Sequence, residues 1–217
     1  PVPPFFAQRL RAYQILSGHM VLYGEDFLAR DRYVDADAAS VRGEAARLAA
    51  ESADGYDLIR RAFHFVRDEV AHSWDVKDPR VTVSASDVLR ERVGICWAKS
   101  NLLAALLRAN GVPCGLCYQR LRLGAVPGKF CIHALNAVLL PSGRWLRLDA
   151  RGNKKGVNAE FYPDREQLAF AAHPERGEKD YGGIWAAPNA GLMRVLEENA
   201  DALYMYLHCL PEELPQE

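Results

Sequence analysis

Surplus charge of either sign is missing from this sequence of 217 residues: 27 Lys and Arg stand against 28 Asp and Glu, for a formal net charge of -1. A chain so balanced lacks the basic excess that general binding to nucleic acid or anionic membranes draws on, so neither is expected as a partner. Long apolar runs are missing as well; none approaches the ~20 residues of a membrane-spanning helix. The start, Pro1-Val2-Pro3-Pro4-Phe5-Phe6, has neither the basic opening nor the long apolar stretch of a secretory leader. Cysteine is scarce and odd in number, five, at spacings that frame no disulfide scaffold, so a reducing cytoplasm is the expected setting. Internal repeats and low-complexity tracts are absent too. What is left is an ordinary globular composition, 49% hydrophobic and 25% charged. The length suits one substantial domain, or one domain with an extension.

Against that plain background stands Gly94-Ile95-Cys96-Trp97-Ala98-Lys99-Ser100, where a loop turns into a helix. From Trp97 to Asn110 there is no Gly or Pro, and Leu102, Leu103, Leu106 and Leu107 recur at helical spacing. Gly111 supplies the stop, and Pro113 follows. Cys96 is therefore expected at the N-terminus of a helix of about three to four turns, after a glycine that lets the chain bend sharply. Unpaired N–H groups there favour thiolate over thiol and could cradle an oxyanion. The rival reading is a buried structural cysteine.

Periodicity predicts further helices over 35–51, weakened at Gly43, and over 56–70, with Leu58, Ile59, Ala62, Phe63, Val66 and Val70 on one face. A helix is also possible over 6–15. Ser84-x-x-Asp87 resembles a capping box before a short helix over 88–91. Beyond the Cys96 helix the period changes: 114–122, 130–140 and 145–149 read as strands, with Pro141-Ser142-Gly143 as a turn. Helices first and an antiparallel hairpin set after them predict an α+β domain. The expected division is an N-terminal helical extension (1–55), a core (56–160) and a C-terminal extension packed on it (161–217).

A thiolate nucleophile needs an imidazole partner, and the imidazole needs an orienting group. His133 and Asp149 lie on the two arms of the predicted hairpin. If the loop is the three residues 141–143, Leu140 faces Arg144, Leu135 faces Asp149, and His133 faces Arg151. His133 and Asp149 are then diagonal neighbours on one face. A loop of four residues would part them onto opposite faces.

Gly94-x-Cys96-Trp97, Leu107-Arg108-Ala109-x-Gly111-Val112-Pro113, His133, and Trp145-Leu146-x-Leu148-Asp149 together resemble the core of the transglutaminase-like superfamily. Ala85-Ser86-Asp87-Val88-Leu89 is similar to the short helix before the cysteine in that family, and Gly177-Glu178-x-Asp180-Tyr181 to the tail of free-standing bacterial members. The resemblance covers roughly residues 56–150 and implies a papain-like α+β fold, its cysteine helix packed on an antiparallel sheet. It implies Cys96 as nucleophile, His133 as base and acid, and Asp149 as the orienter of His133. Two positions depart from the pattern. Leu135 stands where many members carry an aromatic residue, and Thr82 and Val83 stand near the expected place of the Trp that helps bind the oxyanion in the better-known transglutaminases. Trp74 is the nearest indole, at a different spacing, so the second oxyanion donor is unassigned.

The expectation is thus a cysteine-dependent acyl-transfer enzyme acting on an amide, either a peptidase or amidase or a transglutaminase-type enzyme, with a peptide or small amide as substrate. No metal or cofactor is expected, and the oligomeric state is open. Trp97, Trp74 and Arg151 are candidate substrate contacts; the plainer reading of Arg151 is a solvated turn residue. The alternative from another class is a catalytically silent module that binds a peptide in the same cleft. Cys114-Gly-Leu-Cys117 looks like a redox pair but enters a strand, where residues three apart point to opposite faces. A zinc site from Cys114, Cys117, Cys131 and His133 lacks a second paired-ligand motif. His19, His64, His72, His173 and His208 show no partner pattern and read as surface or satisfied core residues.

Overall fold

The computed structural model describes residues 25–124 and 126–216. The helix expected over 6–15, and His19, lie outside the described residues. Helix α1 (Ala39–Ala50) buries Val41, Ala45 and Leu48. Helix α2 (Gly55–Glu69) buries the expected stripe of Leu58, Ile59, Ala62, Phe63 and Val66, with Phe65 added, and is capped by the Asp54 side chain accepting from Asp57 N at 2.8 Å. Strand β1 (Ala71–His72) and the single turn α3 (Ser73–Val76) follow. Helix α4 (Ala85–Glu91) opens three residues earlier than its apolar pattern indicates, because Ser84 is the N-cap. Ser84 Oγ accepts from Asp87 N at 3.1 Å and Ser84 N donates to Asp87 Oδ2 at 3.3 Å, a complete capping box.

Strand β2 (Val93–Gly94) pairs in parallel with β1, Ala71 opposite Val93 and His72 opposite Gly94, and delivers the chain into α5 (Cys96–Ala109). Every residue of α5 from Trp97 to Arg108 is buried. Apolar character on all sides marks a helix surrounded by protein, and α1, α2, α4 and the sheet do surround it. Buried Lys99 extends to the C-terminal end of α2, where its Nζ donates to Val70 O, a favourable place for a cation. Gly111, at φ +74°, ends α5, with its N–H on Arg108 O and that of Val112 on Leu107 O.

Gly94 corrects one expectation. It does not occupy the left-handed region; it is required by space, since a Cβ there would lie 2.8 Å from Thr82 Oγ1 and 3.3 Å from Ala98 Cβ. Only a bare backbone lets the strand before Cys96 run this close to its neighbours.

The remaining strands are β3 (Cys114–Arg122), β4 (Phe130–Leu139), β5 (Trp145–Leu148), the small hairpin β6 (Glu160–Phe161) and β7 (Glu166–Gln167), and β8 (Lys179–Asp180). They form an antiparallel sheet in the order β5-β4-β3-β8, with β6 and β7 paired apart. Leu139 pairs with Trp145, and Leu140 N donates to Arg144 O at 2.9 Å, the register of a three-residue loop. The tail returns through α6 (Ala190–Glu198) and α7 (Ala202–His208), whose Leu192, Met193, Leu196, Ala202 and Met205 join the main core. Cys114 belongs to that core and Cys117 to a second cluster with Leu135 and Ala137, so the two thiols do lie on opposite faces of β3.

Candidate active site

Cys96 is the first residue of α5. Its N-cap, Ile95, offers no side-chain acceptor, so the first N–H groups of the helix are left uncapped by any side chain. Trp97 Nε1 donates to Ile132 O at 2.7 Å, tying this end of α5 to the residue before His133. Asn136 Nδ2 donates to Ser100 O at 3.0 Å one turn further along. These two bonds fix how far the helix start stands from β4.

His133 is buried, and its Nε2 lies 2.8 Å from Asp149 Oδ2. The Cys96 side chain also interacts with the imidazole and favours its charged form. Asp149 is fully enclosed and accepts two backbone N–H groups besides, from Arg151 at 3.2 Å and Ala169 at 3.1 Å. Phe170 stands edge-on to the His133 ring, centroids 5.3 Å apart at 88°. Burial alone would strip His133 of its proton, but the Asp149 carboxylate and the Cys96 sulfur outweigh it and push it up to about 10. Burial disfavours charge on Asp149 also; His133 and the two N–H donors overcome this and hold it below the usual carboxylate range. The arrangement is a thiol, an imidazole that favours its charged form, and a carboxylate aligned on that imidazole.

Cys96 and His133 open on a cavity of about 680 Å³, with Asp149 enclosed behind His133. All three candidate contacts line it, in different ways. Trp97 is buried and spent on packing. Trp74 stacks on Tyr206 of α7, centroids 4.5 Å apart at 11°, with Lys77 Nζ 3.2 Å above its ring. Arg151 is no solvated turn residue: it is buried, and Asp75 grips its guanidinium through both oxygens, Nη2 to Oδ1 at 2.9 Å and Nη1 to Oδ2. Lys154 Nζ shares Asp75 Oδ1 at 2.7 Å, so two cations meet one carboxylate at this wall.

No motif points to Asp75, Phe170 or Tyr206, which come from segments distant in the chain. His72 is another such residue and also overturns the reading of it as surface or satisfied core. It is 5% exposed and its Nδ1 has no hydrogen-bond partner. Of the other described histidines, His64 meets Glu160 at 2.6 Å, His208 stands against Tyr204, and His173, which lines the cavity, lies 3.4 Å from Glu175. Among the described residues no three His, Cys, Asp or Glu side chains gather as a metal site.

A comparison with curated proteins finds no match. Among solved structures, one similar fold is a Cytophaga hutchinsonii protein provisionally termed a cysteine protease, at 22% identity and TM-score 0.48 over 58% of this chain and 40% of that one. Another is the periplasmic domain of TgpA from Pseudomonas aeruginosa. Its free form gives 22% identity and TM-score 0.43 over 57% of this chain and 45% of that one. With ethylmercury bound, the figures are 20% and 0.42 over 58% and 46%. This chain spans less than half the length of each of them. The profile of the transglutaminase-like superfamily matches residues 43–150, a stretch that begins inside α1 and ends just past Asp149. With Cys96, His133 and Asp149 all inside that stretch, the chain is a member of the transglutaminase-like superfamily.

Proposed function

We propose that this protein is a cysteine-dependent acyl-transfer enzyme acting on amide bonds, with Cys96 as nucleophile, His133 as general acid and base, and Asp149 as the group that orients His133. The observation that carries the reading is the 2.8 Å bond from His133 Nε2 to Asp149 Oδ2, on an imidazole that also interacts with the Cys96 side chain at the start of α5. Such a chain of three is what an activated thiol requires, and a module that only holds a peptide gains nothing from it.

In the proposed reaction the Cys96 thiolate attacks the carbonyl carbon of an amide, and the C=O electron pair moves onto oxygen. The intermediate collapses as His133 gives its proton to the departing amine, which leaves an acyl group on sulfur. His133 then takes a proton from water or from an incoming amine, and the acyl group passes on as an acid or a new amide. Release to water is the favoured outcome, because it requires no second binding site. All five cysteines are free, which supports a reducing, cytoplasmic setting.

The test uses p-nitrophenyl acetate, with peptide mapping of the acetylated residue and glycinamide as the added amine. The reading predicts acetyl on Cys96, none on the Cys96→Ala or His133→Ala proteins, and acetate as the main product even with glycinamide present. Acetylation spread over lysines, or equal in Cys96→Ala, would falsify the cysteine mechanism; conversion of most acetyl groups to acetylglycinamide would turn the assignment from hydrolysis to transfer onto an amine.

A further inference from the structure

The site described so far has one backbone donor for an oxyanion, the uncapped N–H of Cys96 at the start of α5, and no side-chain donor to match it. Two buried polar atoms beside it are without partners: Nδ1 of His72 and Oγ of Ser73. Unsatisfied buried polar groups are rare in native proteins and costly, so one on a side chain that lines the cavity with the nucleophile calls for an explanation.

We propose that His72 is the second oxyanion donor, its Nε2–H joining the Cys96 backbone N–H in holding the negative oxygen formed when the Cys96 sulfur attacks an acyl carbon. This inference rests on the acyl-transfer reading above.

Placement is the first argument. The parallel pairing of β1 with β2 sets His72 directly beside Gly94, at the ~4.8 Å of neighbouring strands, and the chain reaches Cys96 two residues later. His72, Cys96 and His133 line the same cavity. Chemistry is the second. Nδ1 is sealed from solvent and unpartnered, whereas Nε2 has no hydrogen bond among the described residues and belongs to a side chain that lines the cavity. An orphaned lone pair costs less than an orphaned N–H, so the ring's single proton belongs on Nε2, where it can be used. Burial, reinforced by the Arg151 guanidinium, holds His72 well below the usual imidazole range and keeps it neutral. A neutral donor does not compete with His133 for the thiolate as an imidazolium would.

The ring is also held in place. It meets Tyr206 edge-on, centroids 6.2 Å apart at 87°, and Tyr206 is itself clamped against Trp74. The two cations of this wall, Arg151 and Lys154, are committed to Asp75.

Two reactions of the same sulfur separate this role from a merely structural one. With p-nitrophenyl acetate, the S–C bond forms, the carbonyl electrons move to oxygen, and the C–O bond to nitrophenolate then breaks with that ion as leaving group. Iodoacetamide is displaced at a saturated carbon, S–C forming as C–I breaks, and no oxyanion arises. His72→Phe is expected to slow acetylation of Cys96 about 100-fold while leaving its alkylation within about twofold. His72→Gln, which keeps an N–H donor, should restore acetylation to within about tenfold of the natural protein. If the Phe variant does not fold, His72→Met removes the donor in its place. Unchanged acetylation in the donorless variant overturns the proposal, and so does alkylation that falls in step with acetylation, or the same selective loss in Trp74→Phe instead of His72→Phe. If Cys96 of the natural protein takes no acetyl group, the acyl-transfer reading itself fails; acetylation indifferent to position 72 leaves that reading standing and removes only His72.

Discussion

His133 is held between strongly opposed forces. An imidazole so buried would ordinarily be neutral, yet the carboxylate on one side and the sulfur on the other push it up to about 10. Because the folded value exceeds the unfolded one, near 6.5, the pair adds stability that is fully present below that pH. The contribution is lost as pH rises toward 10. Asp149 is shifted the other way, so its contribution holds at neutral pH and is lost as pH falls through its lowered folded value. Urea unfolding between pH 6.5 and 10 should therefore show the natural protein losing on the order of 3 kcal/mol that Asp149→Asn does not lose, since a neutral amide no longer supports the charge on His133. Equal slopes for the two proteins would mean that the carboxylate does not hold the imidazolium. At this scale the sequence was partly legible. The placing of His133 beside Asp149 and of Cys96 at a helix start could be read from turn length and helix signals, whereas Asp75 and Phe170 could not. An ion pair reaching from α3 across to Arg151, or a ring arriving from the tail, leaves no periodic trace.

Two glycines show how the elements are built, and they should respond in opposite directions. Gly43 lies inside α1 with nothing within 4 Å of where a Cβ would sit. Gly43→Ala should then stabilise by about 0.5–1 kcal/mol through helix propensity alone. Gly94 faces Thr82 Oγ1, which is held by its own bond to Val93 O at 2.9 Å and has no free direction to yield. Gly94→Ala should cost about 1–3 kcal/mol and displace the start of α5. Thermal melts of the two variants check both signs; a neutral Gly94→Ala would show that the strand can move away from its neighbours. Helices α2 and α5 were readable from their apolar spacing and stop signals, and the β4–β5 register from a three-residue turn, because each of these is a local rule. The early start of α4 was half visible, as the capping box overrides the apolar pattern there. The role of Gly94 was misread. A close approach between segments twelve residues apart cannot be told from a bend by looking at one of them.

Over the whole molecule, the cavity is closed by parts of the chain that follow the family core. Phe170, Tyr206 and Leu210 all come from beyond residue 150 and complete the wall around Cys96. That the tail supplies the roof of the site was not foreseeable, because packing of distant segments is decided by shape. The same global packing distinguishes the cysteines. Burial pushes Cys114, Cys117 and Cys131 up to about 12, so they remain protonated and unreactive, while Cys96 meets a charged imidazole at a helix start. The most direct test is competitive labelling of the native protein with substoichiometric iodoacetamide at pH 6, with all five cysteines followed by peptide mapping in the natural protein and in His133→Ala. The account predicts that Cys96 is modified first, roughly 100-fold faster than Cys114, Cys117 or Cys131, and that most of this advantage disappears without the imidazole. Even labelling across the five, or a Cys96 rate unchanged by His133→Ala, would contradict a thiol activated by His133.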